Sequence, residues 1–243
     1  MGELMTAPGL LPVLLSGFLF SLLAPLVNQL FRDYAGRVIA LLPLAMFVYF
    51  LSLLGDVANG VVFTAQYDWV PSLNIQLNFM VDGWGLFLAL IVSGIGALVI
   101  FYAGGYLQGD EAIGRFYVFI LVFMASMLVL VLADDIFLLF IAWELNSISS
   151  FFLIGFYHEK ESSQKAALQA LLVTGGGGLL MLAGLIGLAL ITGSSSFSQI
   201  LANRDLILQS EFYLPVLALI LLGAFTKSAQ FPFHVWLPDA MEG

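Results

Sequence analysis

The sequence predicts an all-α polytopic membrane protein of about seven transmembrane helices, with a β-hairpin at its external surface. Three observations carry this. First, 61% of the residues are hydrophobic and only 9% charged, with a mean hydropathy of +1.05, whereas soluble domains average about 25% charged residues. Second, seven runs approach or exceed the ~20 apolar residues that cross a bilayer as a helix: 8 to 30, 38 to 56, 84 to 106, 115 to 133, 136 to 157, 165 to 192 and 212 to 231. Third, two of those runs carry an ionisable residue, Glu144 in the fifth and Lys227 in the seventh. Almost nothing is left over for a soluble domain. There is no cysteine, which excludes disulfides, thiolate metal sites and cysteine nucleophiles. The net charge of −9 argues against nucleic acid, whose binding needs clustered Lys and Arg.

The first run follows Glu3 rather than a basic segment and is too long for a signal-peptide core, so it is expected as a retained helix. If the spans alternate, Arg32, Arg37, Arg115, Lys160 and Lys165 fall on one side and only Arg204 on the other. The bias of basic loops towards the cytoplasm then puts the N-terminus outside, and the last residues at the cytoplasmic face of the cell membrane. The second connection alternates strictly: Val61, Phe63, Ala65, Tyr67 and Trp69 share one parity, and residues 73 to 79 repeat the pattern after Pro71-Ser72. A period of two around a turn predicts a β-hairpin over about 61–79. The sixth connection, 193 to 211, opens on a Ser-rich turn. It continues as ILANRDLIL, expected as a short interfacial helix with Ile200, Leu201 and Leu208 on one face. Within the sixth run, GGGG at 175–178 lacks the preceding strand and the Lys-Ser/Thr ending of a phosphate-binding loop. Small residues let helix backbones approach closely in lipid, so tight packing is the expected role, with a flexible point as the alternative.

An ionised group near the bilayer centre costs at least ~3 kcal/mol on insertion scales, so an intramembrane acid or base marks an ion or proton path unless shown otherwise. Glu144 lies about 12 Å along its helix at 1.5 Å per residue. Ser147 and Ile148 share its face, and Asn146, Ser149 and Ser150 widen the polar arc, so this flank is expected to face protein rather than lipid. The bland alternative is a carboxyl satisfied by neighbouring hydroxyls. Lys227 precedes Pro232 by five residues. Proline removes an N–H and clashes with the preceding turn, so the seventh helix is expected to break beside its charge, leaving the Ser228 carbonyl without its helical donor. Interrupted helices of this kind line ion sites in transporters. A lysine there can give up and regain its proton as a neighbouring charge changes, which makes Glu144 and Lys227 a candidate coupled pair. The competing reading is that Lys227 snorkels to the interface.

His234 follows the break and stands between Lys227 and Asp239, where an imidazole suits a proton relay. His158, in YHEKESSQ, is expected to be merely solvated. Asp134 and Asp135 precede the fifth span, where an aspartate caps a helix and complements its dipole; an external cation-attracting mouth is the alternative. Asp82 and Glu3 are ambiguous surface charges.

Several segments together resemble a known family. Residues 122–157 (VFMASMLVLVLADDIFLLFIAWELNSISSFFLIGFY), 223–243 (GAFTKSAQFPFHVWLPDAMEG) and 78–107 resemble the antiporter-like proton-channel subunits shared by respiratory complex I, membrane-bound hydrogenases and Mrp cation/proton antiporters. WELNSISSF and FPFHVWLP are most similar to the N-terminal part of the large Mrp protein of A type. The resemblance implies an incomplete antiporter-like fold, divided into 1–114 (three helices and the hairpin) and 115–243 (the incomplete first half of an inverted-repeat proton channel). It implies that Glu144 and Lys227 are the family's charge-coupled pair, with His234 matching a histidine of Mrp-type members. It also implies a subunit of a hetero-oligomeric Na+/H+ antiporter whose remaining helices lie beyond this sequence, in the same polypeptide or another, and no cofactor or metal. Within the family the rival is a proton-pumping subunit of a redox complex. An intramembrane hydrolase would need facing aspartates, yet Asp134, Asp135 and Asp239 all map to helix ends. A scaffold without transport leaves Glu144 and Lys227 unexplained.

Overall fold

Helix formation follows the apolar runs closely in the computed structural model, which describes residues 4–7, 9–70 and 75–242. The runs become α1 (Leu10–Phe31), α2 (Ala35–Ser52), α4 (Gly83–Tyr106), α5 (Ile113–Leu132), α6 (Ile136–Ile154), α7 (Glu161–Thr192) and α10 (Tyr213–Lys227). Short helices α3 (Leu54–Ala58), α8 (Phe197–Ala202), α9 (Arg204–Gln209) and α11 (Trp236–Asp239) join or follow them. Among the described residues five stretches are long and apolar enough to cross a membrane, the first, Leu10–Ala58, holding both α1 and α2; α10 is a shorter apolar helix. The exposed faces are themselves greasy: Leu19, Leu22, Leu26 and Leu30 of α1 are each more than 60% exposed. Their spacing of three and four puts them on one stripe, as a surface facing acyl chains requires.

By its contacts the chain forms two units, Met1–Ala133 and Asp134–Gly243. The expected division, along the repeat, was at 114/115. The contact boundary falls later because α5 packs on α1 and α4. In the first unit helices meet through small residues: Gly36 and Gly104 bring α2 and α4 to backbone contact, and Gly17 admits Ala125 of α5 against α1. Antiparallel strands β2 (Val62–Val70) and β3 (Ile75–Val81) form the expected hairpin; its turn, 71–74, lies outside the described residues, as does Glu3. Phe63 and Ala65 pair with Val81 and Phe79 on a buried face, while Tyr67 and Trp69 at the far end are exposed. A further strand that the sequence did not signal, β1 (Leu4–Thr6), adds parallel to β2, because three residues are too few to show a period. The expected hairpin is thus part of a three-stranded sheet on a helical membrane fold.

In the second unit α7 is the central element, packed against α6 and α10. It stays helical through all four consecutive glycines, which removes the local break that a flexible point would need. Gly184 and Gly187 receive Ile220 and Val216 of α10, and Gly223 of α10 lies against Met181 and the Gly177 carbonyl. The sixth connection departs from expectation. ILANRDLIL is split between α8 and α9 at Asn203, and its apolar residues do not share a face. Ile200 is buried with Ile136, Met181 and Leu185, whereas Leu201 and Leu208 are exposed.

Candidate functional site

The site lies in the second unit, on α6, α7 and the end of α10. Asp135 sets the start of α6. It is the N-cap, its Oδ1 accepting from the N–H groups of Phe137 and Leu138 at 2.8 and 3.1 Å, and its Oδ2 accepts from the Ser195 hydroxyl at 2.6 Å. Asp134 accepts from the hydroxyls of Ser196 and Ser198 at 3.0 and 2.8 Å and from the Ser198 N–H at 2.9 Å. Both carboxylates are buried and committed to holding the Ser-rich turn, so they form a clamp rather than the cation-attracting mouth considered as an alternative. Asp82 is likewise a cap, accepting from the Gly85 N–H at 2.7 Å.

From that fixed start α6 runs for 19 residues, and Glu144 stands near its middle. Asn146, Ser147 and Ser149 are buried, while Ile148 is 44% exposed and points outward. The polar flank therefore faces protein as expected, without Ile148. Glu144 Oε1 is buried and without a hydrogen-bond partner, and so is the adjacent indole Nε1 of Trp143. The hydroxyls of Ser147, Ser149 and Ser150 turn back to carbonyls of their own helix, so they do not satisfy this carboxyl, and the bland reading of a hydroxyl-solvated acid loses its donors. The space around Glu144 comes from α7: a side-chain carbon at Gly178 would collide with Glu144 Oε1, and one at Gly177 with Thr226. The GGGG run is thus a notch that admits the acid and the penultimate residue of α10.

Helix α10 ends at Lys227, five residues short of Pro232. With 15 residues it is about 22 Å long at 1.5 Å per residue, less than the ~30 Å hydrocarbon thickness. A left-handed residue, not the proline itself, closes it. Ala229 has φ +51°; its N–H reaches the Thr226 carbonyl at 3.4 Å, and the Gln230 N–H reaches Phe225 at 3.0 Å. This is the paired-bond turn that usually has glycine at the left-handed position. The indole N–H of Trp236 donates to the same Thr226 carbonyl at 3.0 Å, giving that end group a second donor. Pro232 lies in the irregular segment beyond, so it is the helix end and not the proline that takes the helical donor from the Ser228 carbonyl.

The Lys227 side chain does not snorkel. Its Nζ donates to Ser147 Oγ at 2.8 Å and lies 5.6 Å from the centroid of the Trp143 ring, within the ~6 Å reach of a cation–π contact. Among the described residues no ion pair joins Lys227 to Glu144; the ammonium is held on Ser147, one helical turn from the acid. His234 is exposed, in a 3-10 turn, its ring stacked on Phe231 with centroids 5.6 Å apart. Sequence reasoning missed Trp143 and Thr226, and marked Gly178 only as part of a run for close packing. The signal lay in the neighbours, since Trp143 directly precedes the acid and Thr226 the amine. Among the described residues no three His, Asp or Glu side chains converge as a metal site.

A half-buried acid in mid-helix, a half-buried amine on a helix that ends at its charge, and exposed leucine stripes on long apolar helices define a polytopic membrane protein. Residues 133–243, which hold the whole pair, match the NADH:quinone oxidoreductase/Mrp antiporter transmembrane family. Residues 69–117 match the N-terminus of NADH-ubiquinone oxidoreductase (complex I) chain 5. The A-type Na+/H+ antiporter protein of Alkalihalophilus pseudofirmus is 44% identical over 94% of this chain and 29% of its own length. Its A1-type counterpart in Staphylococcus aureus is 40% identical over 92% and 28%. In solved structures, a chain of the Mrp complex from Dietzia sp. superposes with TM-score 0.84 and 36% identity, covering 95% of this chain and 25% of that one. An archaeal membrane-bound sulfane sulfur reductase shares the fold at TM-score 0.77 and 23% identity, over 95% and 36%. The chain belongs to the antiporter-like membrane-protein family and is similar to the N-terminal part of the A-type Mrp proteins, spanning somewhat under a third of the curated relatives' length.

Proposed function

We propose that this chain forms part of a membrane subunit of a multi-subunit Na+/H+ antiporter, a secondary transporter rather than an enzyme, and that it supplies an intramembrane proton path through Glu144 and Lys227. The observation that carries this is the Lys227 ammonium hydrogen-bonded to Ser147 one turn from Glu144, whose Oε1 is buried without a partner. A charge parked beside an unsatisfied acid can move between a near and a far position. When it is near, it favours the carboxylate; when it withdraws, a proton is the replacement partner. His234, on the exposed turn beyond α10, is the candidate for exchange with the aqueous side. The excess of basic residues in one set of loops supports a multi-pass protein of the cell membrane with an external N-terminus and the segment after α11 at the cytoplasmic face. Residues 115–243 would be the incomplete first half of the inverted-repeat channel. Its partners would be other membrane subunits, with H+ and Na+ as the transported ions.

The matching family description also names NADH:quinone oxidoreductase, which supports one second reading, a proton-pumping subunit of a redox complex. Co-purifying chains separate the two, since flavin or iron–sulfur partners belong only to the second. In everted vesicles the full-length protein with Glu144→Gln or Lys227→Ala should lose Na+-dependent ΔpH formation while the complex still assembles. His234→Ala should displace the pH optimum. Wild-type exchange in both charge variants overturns the proposal.

A further inference from the structure

Trp143 precedes Glu144 in the chain and lies against the Lys227 ammonium, and two of its features have no structural need. Its ring is already held by packing against the cluster of Ile136, Met181, Leu185 and Ile200, which any large apolar side chain could do. Beyond that, its face lies 5.6 Å from the Lys227 ammonium, and its buried Nε1 carries an N–H with no acceptor. An unpaired buried donor is destabilising, so a tryptophan there is poorer for stability than phenylalanine unless the N–H has a use. An unsatisfied acceptor, Glu144 Oε1, is on the adjacent residue. A carbon at Gly178 would collide with Glu144 Oε1 and lie 3.2 Å from Trp143 Nε1, so donor and acceptor border the same small space. Glycine is the residue type that leaves it open.

We propose that Trp143 is a positioning residue that couples the two charges: its ring face docks the Lys227 ammonium while its Nε1–H serves the Glu144 carboxylate across the notch at Gly178. This rests on the proton-path reading above and adds the physical link between its two ends. In this arrangement the two parts of the indole serve the two charges in turn. With the ammonium on the ring and on Ser147, the indole N–H is the donor left for Glu144. When the ammonium leaves for Glu144, the carboxylate no longer needs the indole. Trp143 therefore defines the far position of the lysine and stabilises the acid while the lysine is away.

The test uses the full-length protein in its complex, in everted vesicles, with assembly measured on native gels. Trp143→Phe keeps an aromatic face and loses the N–H; Trp143→Leu loses both. The expected result is a graded loss, partial for Phe and about tenfold or more for Leu, a size set by a cation–π contact plus a buried charge-assisted donor. The pH–rate profile should move, and the apparent affinity for the cation should stay unchanged. Fluorinated tryptophans placed at 143 keep shape and N–H while weakening the ring's hold on a cation, so they test docking without perturbing packing. Exchange should fall stepwise with the number of fluorines. A wild-type rate and pH profile in Trp143→Phe and throughout the fluorinated series overturns the inference, even where Glu144→Gln and Lys227→Ala abolish exchange. Exchange that survives both charge variants instead removes the proton-path reading beneath it.

Discussion

At the level of single residues, three carboxylates on or just before α6 have different surroundings because of what faces them. Asp134 and Asp135 are surrounded by hydroxyl and N–H donors and are structural. Glu144 faces glycines and an indole, and its Oε1 stays unpaired. The sequence could place all three along their helices, but it could not say that the Ser-rich turn 60 residues onward would return to claim the aspartates. It likewise marked Lys227 as out of place in lipid without giving its partner. Ser147 was legible as lying on the same face as Glu144, yet its bond to Lys227 depends on how α6 and α10 meet across α7. Asp135→Ala removes an N-cap and strands the Ser195 hydroxyl, so it should lower stability by about 1–2 kcal/mol, read as an earlier thermal unfolding transition in detergent. An unchanged transition would deny the clamp.

At the level of elements, composition located every long apolar helix because a bilayer leaves the backbone no other way to satisfy its hydrogen bonds. Ends were less legible. Pro232 announced that the seventh helix must stop, but the helix ends five residues earlier at Lys227 and is closed by a left-handed Ala229, a conformation alanine avoids and sequence alone does not signal. Left-handed backbone costs an L-residue ~1–2 kcal/mol, while glycine loses ~0.5–1 kcal/mol more entropy on ordering than alanine. Ala229→Gly should therefore raise stability slightly, by about 0.5–1 kcal/mol. A loss of stability would show that the turn is held by something other than its backbone bonds. The split of ILANRDLIL has the same origin: a nine-residue apolar pattern fits one helix or two, and Ile200 was drawn inward by a pocket that α6 and α7 create.

For the whole molecule, the hairpin and the loops offer a topology that can be read directly. The chain has no cysteine, so single introduced cysteines report without background. Asp68→Cys on the hairpin should react with an impermeant maleimide added outside intact cells, and Lys160→Cys only after the membrane is opened or inverted. The reverse pattern would invert the orientation assigned from the basic loops.

The central claim is that Glu144 and Lys227 alter each other's ionisation inside the membrane. Difference infrared spectroscopy of the reconstituted, full-length protein in its complex tests it most directly, through the carboxyl stretch that disappears in Glu144→Gln. Neutralising the amine in Lys227→Met should shift that band and its pH dependence; a band that titrates identically with and without the lysine charge would contradict the coupling.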